Sequence, residues 1–469
     1  MNDRIDIPPY LAALNRAASY GQEFRQRSHP LHPQATVPEL RRAFCVDLPE
    51  QGLSPEQVID DLIAAAEPGL VGNTDPNFFA WVMGGSDPVG VAADWLTSVW
   101  GQNAGIFQTA PAAAIAEEAV SGWLLDLLDL PRESSVGFVT GATMAAFVGL
   151  AAARSEVLSR AGHDFEEQGL QGAPKIHIFI SEDAHATNFA ALRFLGFGSA
   201  NIIKLPCDEA GLLSVDALSR AIDATAGPKI IVTQAGHINS GGFEDFPAIT
   251  TLAKAHNAWV HVDGAFGLWA RVLPEKSGLT DGLEQADSWS VDGHKWLQVP
   301  YDSGFAIVKD SQAHRRAMDI SASYLNQSPG DGRNPTEFNP ELSRRARGFA
   351  AWAVLRAAGR SGIREIVERH CLAASYLTEQ LENLPGIRVL NKVHLNQVVV
   401  TLDETFDDRN SMVVRLADQI NLSKRFFVRP AEWRGQTVLR FSIISHQTDL
   451  NHVERLAEFV GKVLEELKR

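Results

Sequence analysis

Cysteine is scarce in this chain: three in 469 residues, at Cys45, Cys207 and Cys371. They are scattered, with no Cys-x-x-Cys pair and no metal-ligand spacing. A disulfide framework and a metal site are therefore not expected, and a reducing cytoplasm is. Long apolar runs are also missing. No stretch reaches the ~18 residues that a membrane span needs. The start, Met1-Asn2-Asp3-Arg4-Ile5-Asp6, has neither the basic opening nor the apolar run of a signal peptide, so none is expected. Positive charge is in deficit as well. Lys and Arg total 42 against 57 Asp and Glu, a net charge of −15, which argues against nucleic acid and anionic membranes as partners. Internal repeats and low-complexity tracts are absent. What remains is an ordinary globular composition on a chain long enough for two or three domains.

In chain order, residues 1–85 read as a helical arm that packs on a partner subunit. Ser54-Pro55-Glu56-Gln57 supplies an N-cap, a first-turn proline and an early acid, predicting a helix to about Ala66. Phe78 and Phe79 read as core, whereas Trp81 is the best candidate in that stretch for the wall of an aromatic pocket. Gly105-Ile106-Phe107 then leads into a helix over about 112–128. Residues 86–360 read as a large domain. Short apolar, β-branched runs at 136–139, 175–180, 202–205, 230–233, 260–262, 288–291 and 305–308 are mostly separated by helical stretches. That is the pattern of a mainly parallel, seven-stranded α/β sheet covered on both faces. Residues 361–469 read as a smaller C-terminal α/β domain with strands at 395–402, 426–429 and 438–444. Between them, 329–341 is polar and rich in Gly, Pro and Asn, and reads as a mobile loop.

Two stretches carry the chemistry. Ser288-Trp289-Ser290-Val291-Asp292-Gly293-His294-Lys295-Trp296 is a buried strand that delivers a lysine into apolar surroundings. Burial disfavours an ammonium, so such an amine is primed to form Schiff bases with carbonyls, the aldehyde of pyridoxal phosphate among them. Val260-His261-Val262-Asp263-Gly264-Ala265 is a second strand, ending on a carboxylate. An Asp there can cap a turn; it can also hold a pyridinium nitrogen protonated. Thr140, His185, Gln234, Asp263 and Lys295 all fall just past strand ends, where such sheets bind ligands. The small-residue turn Thr140-Gly141-Ala142-Thr143 opens a helix, whose free amides suit a phosphate.

The order and spacing of these motifs, over about residues 55–450, resemble the group II pyridoxal-phosphate-dependent decarboxylases, which include aromatic amino acid, glutamate and histidine decarboxylases. The resemblance implies the fold-type-I aminotransferase architecture and a homodimer with its active sites at the subunit interface. It makes Lys295 the Schiff-base lysine and Asp263 the pyridinium partner, with Ala265 against the ring. It makes His185 the stacking histidine and Ala142 and Thr143 the phosphate turn. Gln234 and His294 flank the cofactor, and Arg440 holds the substrate α-carboxylate. Trp81, Ile106 and Phe107 would line the side-chain pocket. The activity implied is loss of CO2 from an L-amino acid, aromatic or apolar, to give the amine.

Three departures stand out. Asp292 occupies a position where the family carries Asn, which puts a negative charge near the phosphate. Gln234 and His237 stand where relatives often carry Thr. Asn334-Pro335-Thr336-Glu337-Phe338 has no tyrosine at the place of the loop tyrosine that protonates Cα, and nearby Tyr324 belongs to a preceding structural motif. An aldehyde-forming or other carbon–carbon lyase of the same fold is thus an alternative outcome, and a non-catalytic protein of this fold is a third.

Overall fold

The computed structural model describes residues 8–320 and 332–468; Tyr324 and residues 329–331 of the expected loop lie outside them. Seven strands form the larger sheet: β1 Ser135–Val139, β2 His177–Ser181, β3 Ile202–Leu205, β4 Lys229–Gln234, β5 Trp259–Asp263, β6 Ser288–Asp292 and β7 Gly304–Val308. Their order is β1-β7-β6-β5-β4-β2-β3. The run from β6 to β3 is parallel, while β7 lies antiparallel to both β6 and β1. Every residue of β1 and of β4 to β7 is buried. Strands this apolar on both faces need helices on both sides. The helix Ala142–Arg160 covers one face, with Ala145, Val148, Ala152 and Val157 buried against Ile178, Val232 and Trp259. Trp289, Phe305 and Trp269 fill the opposite core.

A second sheet of four strands, β8 Ile387–Val389, β9 Gln397–Leu402, β10 Arg429–Trp433 and β11 Gln436–Ser442, has the order β10-β11-β9-β8 and is antiparallel throughout. The strand expected over 426–429 instead begins at Arg429. The Asn421 side chain takes both ladder groups of Val428, accepting from its N–H at 3.0 Å and donating to its carbonyl at 2.9 Å. Strand β8 has no counterpart in the expectation: three residues are too few to show a period. A long helix, Gly348–Glu382, joins the sheets and breaks at Gly359 (φ 60°, ψ 179°), a conformation open to glycine.

The N-terminal stretch is tied to the smaller sheet. Phe79 N–H donates to the Phe427 carbonyl at 2.9 Å, and Ser442 N–H donates to the Phe79 carbonyl at 2.9 Å. Phe78 and Phe79 are both buried, as core residues. The helices Val37–Phe44 and Pro55–Ala66, by contrast, bury no residue against the chain.

The mobile loop expected up to residue 341 is corrected for its described part. Asn334 to Phe338 is buried, with Pro335–Phe338 in a single 3-10 turn. Thr336 N–H donates to the Gly105 carbonyl at 2.9 Å, and Phe107 N–H donates to Asn334 Oδ1 at 2.9 Å. Polar composition suggested exposure, but these polar groups are consumed by backbone partners inside the fold.

Candidate active site

The larger sheet ends its parallel strands on one rim, and a cavity of about 320 Å³ opens there. Its lining includes Thr140, Ala142, Thr143, His185, Gln234, Asp263, Ala265, His294 and Lys295. Nine expected residues, from separate parts of the chain, thus meet at one place.

Asp263 is the last residue of β5 and is buried. Its Oδ2 accepts from Asn188 Nδ2 at 2.7 Å and its Oδ1 from the Ala265 N–H at 3.1 Å. Two donors hold the carboxylate in one orientation. Behind it on the same strand, His261 is fully enclosed and burial pushes its pKa down to about 4. The imidazole behind Asp263 is therefore neutral near pH 7.

Lys295 follows β6 by three residues. Its Nζ lies 3.1 Å from Asp292 Oδ2 and 5.8 Å from the centre of the Phe266 ring. The lysine therefore has a carboxylate partner that its apolar sequence neighbours did not suggest. Gly84 packs so closely on this turn that an added Cβ would lie 2.1 Å from the His294 carbonyl oxygen. No larger residue fits without moving the turn.

His185 caps the helix Ala186–Phe194. Its Nδ1 accepts from the Thr187 N–H at 3.4 Å and sits 2.7 Å from Thr187 Oγ1. The proton of a neutral ring is thereby assigned to Nε2, on the side away from these contacts. Burial lowers the His185 pKa, against the pull of Asp263. Its backbone N–H donates to Gln234 Oε1 at 3.2 Å, so Gln234 fixes the loop that carries His185. His294 accepts from the Ser303 N–H at Nδ1 (3.2 Å) and stacks on Tyr301 with centroids 4.2 Å apart. His237 is not in the cavity lining: it is buried with its Nε2 3.3 Å from Asp183 Oδ2, beneath Trp433 Nε1, which bonds the same oxygen at 2.9 Å.

Arg440, on β11 of the smaller sheet, is not among the residues that line the cavity, but it bonds to one that is. Its Nη1 donates to the Ile238 carbonyl at 3.2 Å and to Asn239 Oδ1 at 3.0 Å, and Ile238 lines the cavity. Burial alone holds the guanidinium down to about 10. Among the described residues no carboxylate pairs with it. Trp81, Ile106 and Phe107 do not line this cavity. Trp81 is 49% exposed in a left-handed conformation (φ 59°), its ring 5.7 Å from the Arg429 guanidinium. The residues that sequence reasoning missed are Met144, Thr187, Gly236, Ile238 and Phe266 in the lining and Asn188 behind it. Asn188 alone had a usable signal: it lies three residues after His185, one helical turn on.

A basic amine, a fixed carboxylate, a neutral imidazole and apolar walls at Ala265 and Phe266 surround one cavity beside a helix N-terminus. That donor set suits a flat heteroaromatic aldehyde with an anionic tail, and it defines a cofactor-dependent enzyme of the fold-type-I class. The family model described as "Pyridoxal-dependent decarboxylase conserved domain" matches residues 38–403, and the chain belongs to that family. Its cofactor is pyridoxal 5′-phosphate and its chemistry that of a carboxy-lyase acting on amino acids. The chain is 25% identical to tryptophan decarboxylase 1 of Oryza sativa subsp. japonica, over 97% of this chain and 93% of that one. It is 26% identical to phenylacetaldehyde synthase of Arabidopsis thaliana, over 91% and 89%. A crystal structure of Oryza sativa TDC with PLP and tryptamine shares the fold with a TM-score of 0.91, at 23% identity and with complete coverage of both chains. Among the described residues no helix is long and apolar enough to cross a membrane, and no His, Cys, Asp and Glu group could hold a metal.

Proposed function

We propose that this enzyme removes CO2 from an aromatic or apolar L-amino acid and releases the amine. Pyridoxal phosphate supplies an aldehyde for the substrate amine and a ring that accepts the electron pair left by CO2. Lys295 would provide the amine that holds the cofactor until the substrate's amine takes its place. Asp263, held by Asn188 and the Ala265 amide, keeps a proton at the ring nitrogen, without which the ring is a poor electron acceptor. The neutral His185 would serve as the group against the cofactor ring, with its Nε2–H available to the substrate carboxylate. Arg440, a buried cation with two neutral acceptors, holds the same carboxylate and sets which bond at Cα breaks. Ala142 and Thr143 serve the phosphate. The observation that carries this reading is the meeting of Lys295 and Asp263 in one cavity, with a guanidinium that has no carboxylate partner among the described residues bonded to the lining residue Ile238.

Trp81, Ile106 and Phe107 are assigned to the side-chain pocket of a homodimer, in which the arm reaches the neighbouring subunit. Eighteen of the twenty-seven exposed large apolar side chains among the described residues fall between Tyr10 and Ile115. A surface so rich in apolar groups favours a protein partner. Sedimentation equilibrium checks the dimer.

The function is tested by incubating the holoenzyme with a panel of L-amino acids while assaying amine, aldehyde and CO2 together. Equimolar amine and CO2 from an aromatic substrate is the expected result; no CO2 from any member would refute the reading. A second outcome has a specific observation behind it. Asn334 to Phe338 contains no tyrosine and is buried, which removes one acid for Cα. Oxygen-dependent aldehyde formation, with release of ammonia and peroxide, would then replace amine release, and the aldehyde channel of the same assay reads it.

A further inference from the structure

The helix Ala142–Arg160 begins without a cap of its own. Its N-cap residue is Gly141, which has no side chain to offer. The cap comes from far along the chain instead. Ala142 N–H donates to Asp292 Oδ1 at 2.6 Å. The approach is possible because Gly141 is bare: an added Cβ would lie 2.9 Å from His294 Cε1 and 3.2 Å from Asp292 Oδ1. The other oxygen, Oδ2, lies 3.1 Å from Lys295 Nζ, and His294 Nε2 lies 3.3 Å from Oδ1. Asp292 is 3% exposed at the end of β6. One enclosed carboxylate thus grips a helix N-terminal amide and a lysine amine at once.

Those two groups are the ones that the proposed function gives to the cofactor, and the following inference rests on that reading. We infer that Asp292 is an internal competitor of the cofactor: it occupies the amide that the phosphate uses and the amine that the aldehyde uses. A carboxylate and a phosphate carry the same sign. Both are stabilised by the same helix N-terminus, so either one displaces the other. In an enclosed site the two charges repel with little screening. The phosphate gains the Ala142 amide only when Asp292 turns away, and Lys295 becomes available only when its ion pair breaks. Asparagine in this position could cap the helix without the charge. Asp292 therefore weakens cofactor retention below what the cradle allows, making loading reversible and responsive to cofactor supply.

The test compares wild type with Asp292→Asn, both stripped of cofactor. Isothermal titration calorimetry reads inorganic phosphate binding, and the visible absorbance band reads pyridoxal phosphate. A charge-assisted contact is worth roughly 1.5–3 kcal/mol, which converts to a gain of about tenfold or more in the affinity of Asp292→Asn for both ligands. Pyridoxal, which lacks the phosphate, reads only the freed amine and gains less than its phosphate ester. Asp292→Ser, which keeps a short acceptor for the Ala142 amide but no charge, shows the same order. A merely structural aspartate predicts the opposite sign, since damage to the site weakens binding. Equal or weaker affinity for phosphate and pyridoxal phosphate in both variants overturns the inference, as does a gain for pyridoxal that matches that of its phosphate ester. Wild type that takes up no pyridoxal phosphate at all would instead sink the functional reading beneath it.

Discussion

Replacing Arg440 with glutamine separates a substrate clamp from a structural cation. Among the described residues the guanidinium donates to neutral acceptors, the Ile238 carbonyl at 3.2 Å and Asn239 Oδ1 at 3.0 Å. Burial disfavours its charge, and among the described residues no counter-ion offsets that cost. Glutamine keeps one donor for these acceptors and removes the charge. Stability should therefore change by no more than about 1 kcal/mol, the usual net worth of one neutral hydrogen bond. A bond from a cation to the substrate carboxylate is worth roughly 1.5–3 kcal/mol, so kcat/KM for the best substrate should fall about 10- to 150-fold. Binding of the corresponding amine, which has no carboxylate, should be untouched. Steady-state kinetics, thermal melting and an amine titration give the three numbers. The reasoning fails if kcat/KM stays within about threefold of wild type while the melting temperature drops, because Arg440 would then be a part of the fold and not of the site.

Lys295→Ala should lose covalent cofactor: after borohydride reduction and dialysis, mass spectrometry should show the cofactor adduct on wild type only. Asp263→Ala should cost turnover far more than cofactor binding, by about 10³-fold or more on the scale of a lost catalytic electrostatic contact; near-full turnover would remove its electron-sink role. Asn188→Ala should lower kcat by about tenfold, since one of two donors to Asp263 goes, and Asn188→Asp should shift the visible band of the bound cofactor. Acid should destabilise the protein as pH falls from about 7 to 5. His261 sits at about 4 and His314 and His370 at about 3, all lowered by burial. Between those values and about 6.5 the unfolded chain binds the extra protons, so stability rises with pH across that window. Glu244, raised to about 8, and Glu117, Asp287 and Glu337, also raised by burial, act in the opposite sense, but His32, His177, His185, His294, His394 and His446 are lowered by burial too, nine histidines in all against four carboxyl groups. Urea midpoints at pH 5 and 7 check the balance.

Much of the larger sheet was legible because its strands are short, β-branched and buried on both faces, a pattern that few other structures share. The site was legible because strand ends carry its residues: Asp263 closes β5, Gln234 closes β4, and Lys295 follows β6. What could not be read were contacts whose partners lie far apart in the chain. Nothing near Ala142 announces a cap 150 residues later, and nothing near Asn421 announces that its amide replaces a strand ladder at Val428. The buried turn at Asn334 to Phe338 misled for the same reason: its composition is that of a loop, and only its distant acceptors and donors make it interior.

All sixteen residues lining the cavity lie between Thr140 and Lys295. The residues proposed to hold the cofactor are therefore encoded in one uninterrupted third of the polypeptide, and Arg440, proposed for the substrate carboxylate, comes from outside it. Apart from positions such as Gly84 and Arg440 that touch that block, the flanking thirds can drift, acquire insertions or change their taste in side chains without rewriting it. A lineage built this way can diversify its diet while inheriting its chemistry intact.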